Sequence, residues 1–170
     1  MATTYISTTD TAKMIRKALK NSFPSTKFSV RSHSYSGGSS IDISWIDGPM
    51  ESEVDAISKF YQGATFDGQT DMKDYHNSLV ILEGNDLPTE VHFGADFVFT
   101  SRKISNEYKA DLIAKFEEIS GMEYDDNKSY ALCETGLWAI GSWFGMSDMY
   151  GCQIVNRMSY IIPAQEKAAA

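Results

Sequence analysis

The residues able to do chemistry fall into a few separate groups. Asp67, Asp71 and Asp74 lie in one polar stretch, Phe66-Asp67-Gly68-Gln69-Thr70-Asp71-Met72-Lys73-Asp74. Neighbouring carboxylates can gather oxygens around Mg²⁺ or Ca²⁺, the requirement of a metal-dependent hydrolase or transferase. The spacing departs from a calcium loop, which needs ligands at alternate positions and a distal Glu, so turn chemistry is the plainer role. Glu123, Asp125 and Asp126 form the one tight acidic group. With the three earlier aspartates they make a candidate acidic contact surface. Lys13, Arg16, Lys17 and Lys20 place four cations close together, with Lys27 and Arg31 following. Such a set suits phosphates or an acidic partner surface. Cys133 or Cys152 with His33, His76 or His92 could form a nucleophile and base, although buried inert cysteine is the commoner case.

Other signatures are missing. There is no Gly-x-x-x-x-Gly-Lys-Ser/Thr and no dinucleotide fingerprint, and Gly37-Gly38 stands between predicted strands instead of opening a helix. In Gly141-Ser142-Trp143-Phe144-Gly145 the serine is misplaced for a nucleophile elbow. No Cys-x-x-Cys or His-x-x-x-His occurs, so neither a metal nor a cofactor is expected.

Composition sets the background. The 170 residues carry 15 Lys+Arg against 23 Asp+Glu, a formal charge of −8, with 42% hydrophobic residues. This predicts one α+β domain, and excludes a chain too polar to bury a core. No apolar run approaches the roughly 20 residues that span a bilayer. The N-terminus shows no signal peptide, and two cysteines suit a reducing compartment, so a cytoplasmic protein is expected. Charge is uneven: residues 1–50 hold six basic groups against three acidic ones, and residues 51–170 hold nine against twenty. The asymmetry bears on partners and on association rates.

The elements that must position these groups follow from periodicity. Residues 10–23 read as an amphipathic helix with Ala12, Ile15, Leu19 and Phe23 on one face. Its four cations share an arc of about 100° on the other side. Thr8, Thr9 or Asp10 is expected to cap it, and Pro24 to end it. Residues 27–35 and 39–46 read as a β-hairpin turning at Gly37-Gly38. That register pairs Val30 with Trp45, His33 with Asp42 and Arg31 with Ser44. Asp47-Gly48-Pro49 opens a helix packing through Val54, Ile57, Phe60 and Tyr61, which Gly63 ends. Residues 64–77 read as a turn-rich loop around a possible strand, then 78–82 and 91–100 as strands. Ser105 caps a helix over 106–120 that Gly121 closes. The order helix-strand-strand-helix-strand-strand-helix predicts an antiparallel or mixed sheet with helices on one side. Residues 121–163 form an aromatic and Met-rich extension, with 130–150 read as a glycine-interrupted helix. There Trp138, Trp143, Phe144, Met146 and Met149 are either core or contact surface. Residues 164–170 read as a frayed tail.

Several stretches together resemble a known family: Thr11-Ala12-Lys13-Met14-Ile15-Arg16-Lys17-Ala18-Leu19-Lys20, Tyr35-Ser36-Gly37-Gly38-Ser39-Ser40-Ile41-Asp42 and Asp47-Gly48-Pro49, continued by Phe66-Asp67-Gly68 and Phe97-Val98-Phe99. Over about residues 8–110 the chain is similar to a large polyvalent protein-associated domain, the twenty-ninth of that series. The resemblance implies an α+β fold and a protein of phages, plasmids or other mobile elements acting inside a bacterial cell. It brings no catalytic residues. The expectation is a non-enzymatic accessory protein that binds a host protein or nucleoprotein complex, an anti-CRISPR or anti-restriction type of inhibitor. The alternatives are a nucleic-acid-binding module using the basic helix face, and a metal-dependent enzyme at Asp67, Asp71 and Asp74.

Overall fold

A computed structural model describes residues 3–82, 84, 86–141 and 147–164. The fold is α+β, and its packing divides into two units. One comprises the chain up to Trp45 with Glu51–Arg102; the other comprises Ile46–Met50 and the chain from Lys103 onward.

In the first unit, β1 (Thr4–Ile6) runs into α1 (Thr8–Ser22). The helix starts ahead of the expected residues. Ser7 is extended, and its hydroxyl accepts the Asp10 amide at 3.2 Å, so the cap is Ser7 rather than Thr8, Thr9 or Asp10. The following proline pushes Phe23 out of the helical region, to φ −132° and ψ 70°. Ala12, Ile15 and Leu19 are fully buried on the predicted face.

β2 (Ser29–Tyr35) and β3 (Gly38–Ile46) form the expected hairpin, with β8 (Phe97–Lys103) on the other edge of β3. The turn is Ser36-Gly37, with Gly37 at φ 90°, one position earlier than read from sequence. The register therefore moves by two: Val30 faces Ile43, Arg31 faces Asp42 and His33 faces Ser40. An even shift leaves each side chain on its face, so Val30, Ile41, Ile43 and Trp45 all stay buried. Together with Val54, Ala95 and Val98 they close the core over α1.

Asp47 and Gly48 both adopt positive φ, and α2 begins only at Glu51, running to Ser58 and on into a 3₁₀ turn, Lys59–Tyr61. Val54 is buried and Ile57 and Tyr61 partly so, whereas Phe60 is exposed. The loop expected over 64–77 is a second hairpin, β4 (Ala64–Asp67) with β5 (Met72–Tyr75). The strand expected over 91–100 is two strands. β7 (Thr89–Phe93) lies between β1, parallel to it, and β6 (Ser78–Val80), antiparallel to it. A break at Gly94–Asp96 then carries the chain into β8 in another sheet. The single sheet expected is thus four small ones among the described residues.

The second unit is organised by α3 (Asn106–Ser120), capped as expected: Ser105 Oγ accepts the Tyr108 amide at 3.1 Å, and Gly121 is left-handed at φ 64°. Its buried face, Tyr108, Leu112 and Phe116, packs with Tyr130, Leu132, Leu137 and Met158, so this helix groups with the residues that follow it. The helix read over 130–150 is instead β9 (Ser129–Ala131) antiparallel to β10 (Asp148–Tyr150), with a 3₁₀ turn at Leu137–Ala139 between them. A glycine-broken apolar stretch can satisfy its backbone either way, and here cross-strand pairing closes the segment's ends. α4 (Gly151–Ser159) follows, burying Ile154, Val155 and Met158. Trp138 is 48% exposed and Met149 packs against the core; Trp143, Phe144, Met146 and residues 165–170 lie outside the described residues.

Candidate binding surfaces

The α1 cations stay in solvent, but they are not equivalent. Lys13 is held by Asp10 at 2.8 Å, and that bond, with the Ser7 hydroxyl, holds the Asp10 carboxyl below its ordinary pKa. Arg16 donates from Nη2 to the Val30 carbonyl at 2.5 Å, which ties its guanidinium to β2. The stripe borders two depressions. Lys13 and Lys17 edge a groove of about 590 Å³ floored by Met14, Tyr61, Val80 and Ile81. Arg16 and Lys20 edge another, of about 350 Å³, with Lys27 and Phe28. Arg31, on β2, is exposed and faces Asp42. His33 Nε2 lies 3.2 Å from Asp42 Oδ2, so the pair expected from sequence exists, reached diagonally instead of directly across.

The acids are engaged locally. Asp67 Oδ1 accepts the Gln69 amide at 2.9 Å and Oδ2 accepts the Thr70 hydroxyl at 2.8 Å. Those two bonds, the amide first, hold its carboxyl below the ordinary value. Asp71 sits in the same turn at φ 55°, and Asp74 faces Thr65 along the hairpin. No three carboxylate, histidine or cysteine side chains come close enough to share a metal ion among the described residues. In the second unit Asp126 accepts the Tyr124 hydroxyl at 2.7 Å and pairs with Lys109 at 3.2 Å, which lowers its pKa. Burial first, and then that bond, push the Tyr124 phenol well upward. Asp125 Oδ1 accepts the Asn127 amide, and Tyr130 Oη holds the backbone of Glu123 and Asp125. Cys133 and Cys152 are free and exposed, and neither is hydrogen-bonded to a histidine among the described residues.

Sequence reasoning missed a polar cleft of about 410 Å³ at the tip of the first hairpin. Hydroxyls of Tyr5, Thr8, Ser34, Ser39 and Tyr75 line it, with Asp96 at its base. Asp96 is 7% exposed and pairs with Lys73 at 2.9 Å; Lys73 also donates to the Gly37 carbonyl at 2.8 Å. The Asp96 bond raises the Lys73 pKa. Thr8 and Ser39 hydroxyls both donate to the Gly94 carbonyl, pinning the break between β7 and β8. A side chain at Gly38 would press on the Asp96–Lys73 pair and displace it. The Tyr35–Ser40 stretch is therefore a tight polar joint. His92 packs between Tyr5 and Tyr75, each 5.9 Å away, at its rim.

With this geometry in hand, comparison with known proteins adds one finding. The family model described as large polyvalent protein associated domain 29 matches residues 6–105. The match begins at Ile6, the last residue of β1, and ends at the Ser105 cap, so it takes in α1 to β8 and stops before α3. No curated protein and no solved structure matches the chain. No helix among the described residues is long and apolar enough to cross a membrane.

Proposed function

We propose that this chain, which belongs to the large polyvalent protein associated domain 29 family, is a non-enzymatic accessory protein of a phage or plasmid. It works in the bacterial cytoplasm by binding a host protein, and the binding inhibits a defence system of the restriction or CRISPR type. The family's association with polyvalent phage-type proteins supports the setting.

One observation carries the binding role: the groove beside α1, where an apolar floor lies open under a lysine edge. Ile81 is 64% exposed, next to Tyr61 and Met14. Aliphatic side chains left in water beside lysines suit a partner segment with apolar residues flanked by carboxylates. The carboxylates of Asp67 and Asp126 are committed to groups of this chain, Asp67 to its own turn and Asp126 to Tyr124 and Lys109, which argues for the basic side as the contact.

The test is phage plating on a restricting host that expresses the chain. Expression should raise plating efficiency, and Ile81→Glu combined with Lys17→Glu should cancel the gain while leaving a folded protein. Unchanged plating across restriction and CRISPR hosts, with the chain expressed and folded, would refute the reading.

A further inference from the structure

The second depression on α1 does not depend on the protein-binding role. Arg16 and Lys20, from the last turns of α1, meet Lys27, which arrives after the Pro24 turn, around a cleft of about 350 Å³. Most other cations with a described partner are matched to a carboxylate: Lys13 to Asp10, Lys73 to Asp96, Lys109 to Asp126. Arg16, Lys20 and Lys27 have no ion pair among the described residues. Three like charges converging without a counter-charge, in a chain of net charge −8, are stabilised by an anion between them. Arg16 is already fixed by its bond to the Val30 carbonyl, which leaves the rest of its planar fork of donors for a phosphate.

The wall of the cleft narrows the choice of anion. Phe28 lines it, half-buried, with its ring held 5.5 Å from Trp45 and 6.0 Å from Phe23. A held aromatic ring beside converging cations is the pairing that binds an unpaired base together with its phosphate. In a duplex the bases are stacked inside and cannot reach such a ring. We infer that Arg16, Lys20, Lys27 and Phe28 form a binding site for single-stranded nucleic acid, with successive backbone phosphates on the three cations and a base against Phe28.

Fluorescence anisotropy with a labelled oligothymidylate of about twelve nucleotides tests this on the full chain. Binding at low salt should weaken with a logarithmic salt slope of about −2, as expected for three phosphate contacts on a single strand. Lys27→Ala should lower affinity about tenfold and flatten the slope by about 0.7. Phe28→Leu, shown folded by circular dichroism, should lower affinity with the slope unchanged, and Lys115→Ala should change nothing. Duplex of equal length should bind more weakly. Lys27→Ala binding like the unaltered chain would overturn the site. Equal binding of duplex would overturn the base contact. Polyglutamate that competes as well as the oligonucleotide would assign the cleft to an acidic protein instead.

Discussion

The basic face of α1 and the acidic turn Glu123–Asp126 look equivalent in sequence, each a short run of like charge, yet they are built in opposite ways. On α1, Lys20 reaches solvent with no ion pair among the described residues, as does Lys27 just beyond the Pro24 turn. In the acidic turn, Asp126 is held by Tyr124 and Lys109, and the backbone of Glu123 and Asp125 is clamped by Tyr130. A charge bonded within its own loop shapes that loop; a charge without a partner remains available to a ligand. Local charge density therefore says less about function than the hydrogen-bond account of each group.

Each region rests on its own core cluster, and the largest effects come from removing that support. Leu19 is fully buried beneath the α1 cations, and Phe116 lies 5.8 Å from Tyr124 and 5.0 Å from Tyr130, beneath the acidic turn. Phe116→Ala should cost about 3–5 kcal/mol and Leu19→Ala about 2–5 kcal/mol, measured by denaturant unfolding. The comparison sharpens if near-saturating urea curves show that Leu19→Ala weakens oligonucleotide binding at concentrations where the chain is still folded. It breaks if Phe116→Ala does so as strongly.

The next effect isolates the clamp. Tyr130→Phe removes the hydroxyl that donates to the Glu123 carbonyl at 2.7 Å and accepts the Asp125 amide at 2.8 Å. The loss should be about 1–3 kcal/mol, with faster hydrogen exchange at Asp125. An unchanged exchange rate would show that the turn keeps its shape without the clamp. Below this come the caps. Ser7→Ala and Ser105→Ala should each cost about 1 kcal/mol, read as a drop in Tm, since each hydroxyl satisfies one amide at its helix start.

How much of this was readable beforehand follows from the range of each interaction. α1 and α3 were legible because their signals are local: an apolar stripe at helical spacing, Ser105, Gly121 and Pro24. The hairpin faces were legible because alternation survives an even slip, while the register was not, because Ser36-Gly37 and Gly37-Gly38 are both acceptable turns. β1 has three residues and takes its meaning from a parallel partner more than eighty positions away, which no local pattern reveals. The same holds for Lys73 and Asp96, whose ion pair joins a hairpin to the break between two sheets. In the basic site, the exposure of Arg16 and Lys20 was visible on the helical face. The cleft was not, because it depends on how the Pro24 turn returns Lys27 and Phe28 to the helix.

The smallest expected effect concerns pH, and it separates bonded charges from open ones. Asp10, Asp67 and Asp126 have carboxyls held below their ordinary value of about 3.9 in the folded chain. A carboxyl with a depressed folded pKa binds fewer protons in the folded state than in the unfolded one. Its stabilisation is therefore fully present above about pH 4 and is lost as pH falls through the lower, folded value. All three are solvent-exposed, so each contributes little and salt screens it. Thermal melts between neutral pH and about pH 3 should show Tm falling, with the fall shallower in Asp126→Asn and in Asp67→Asn. Lys20→Gln should leave that acid limb unchanged, because Lys20 supports no carboxyl among the described residues. A shallower limb in Lys20→Gln would mean that the α1 cations are coupled to acids of this chain, and the contrast between the two charged regions would fall with it.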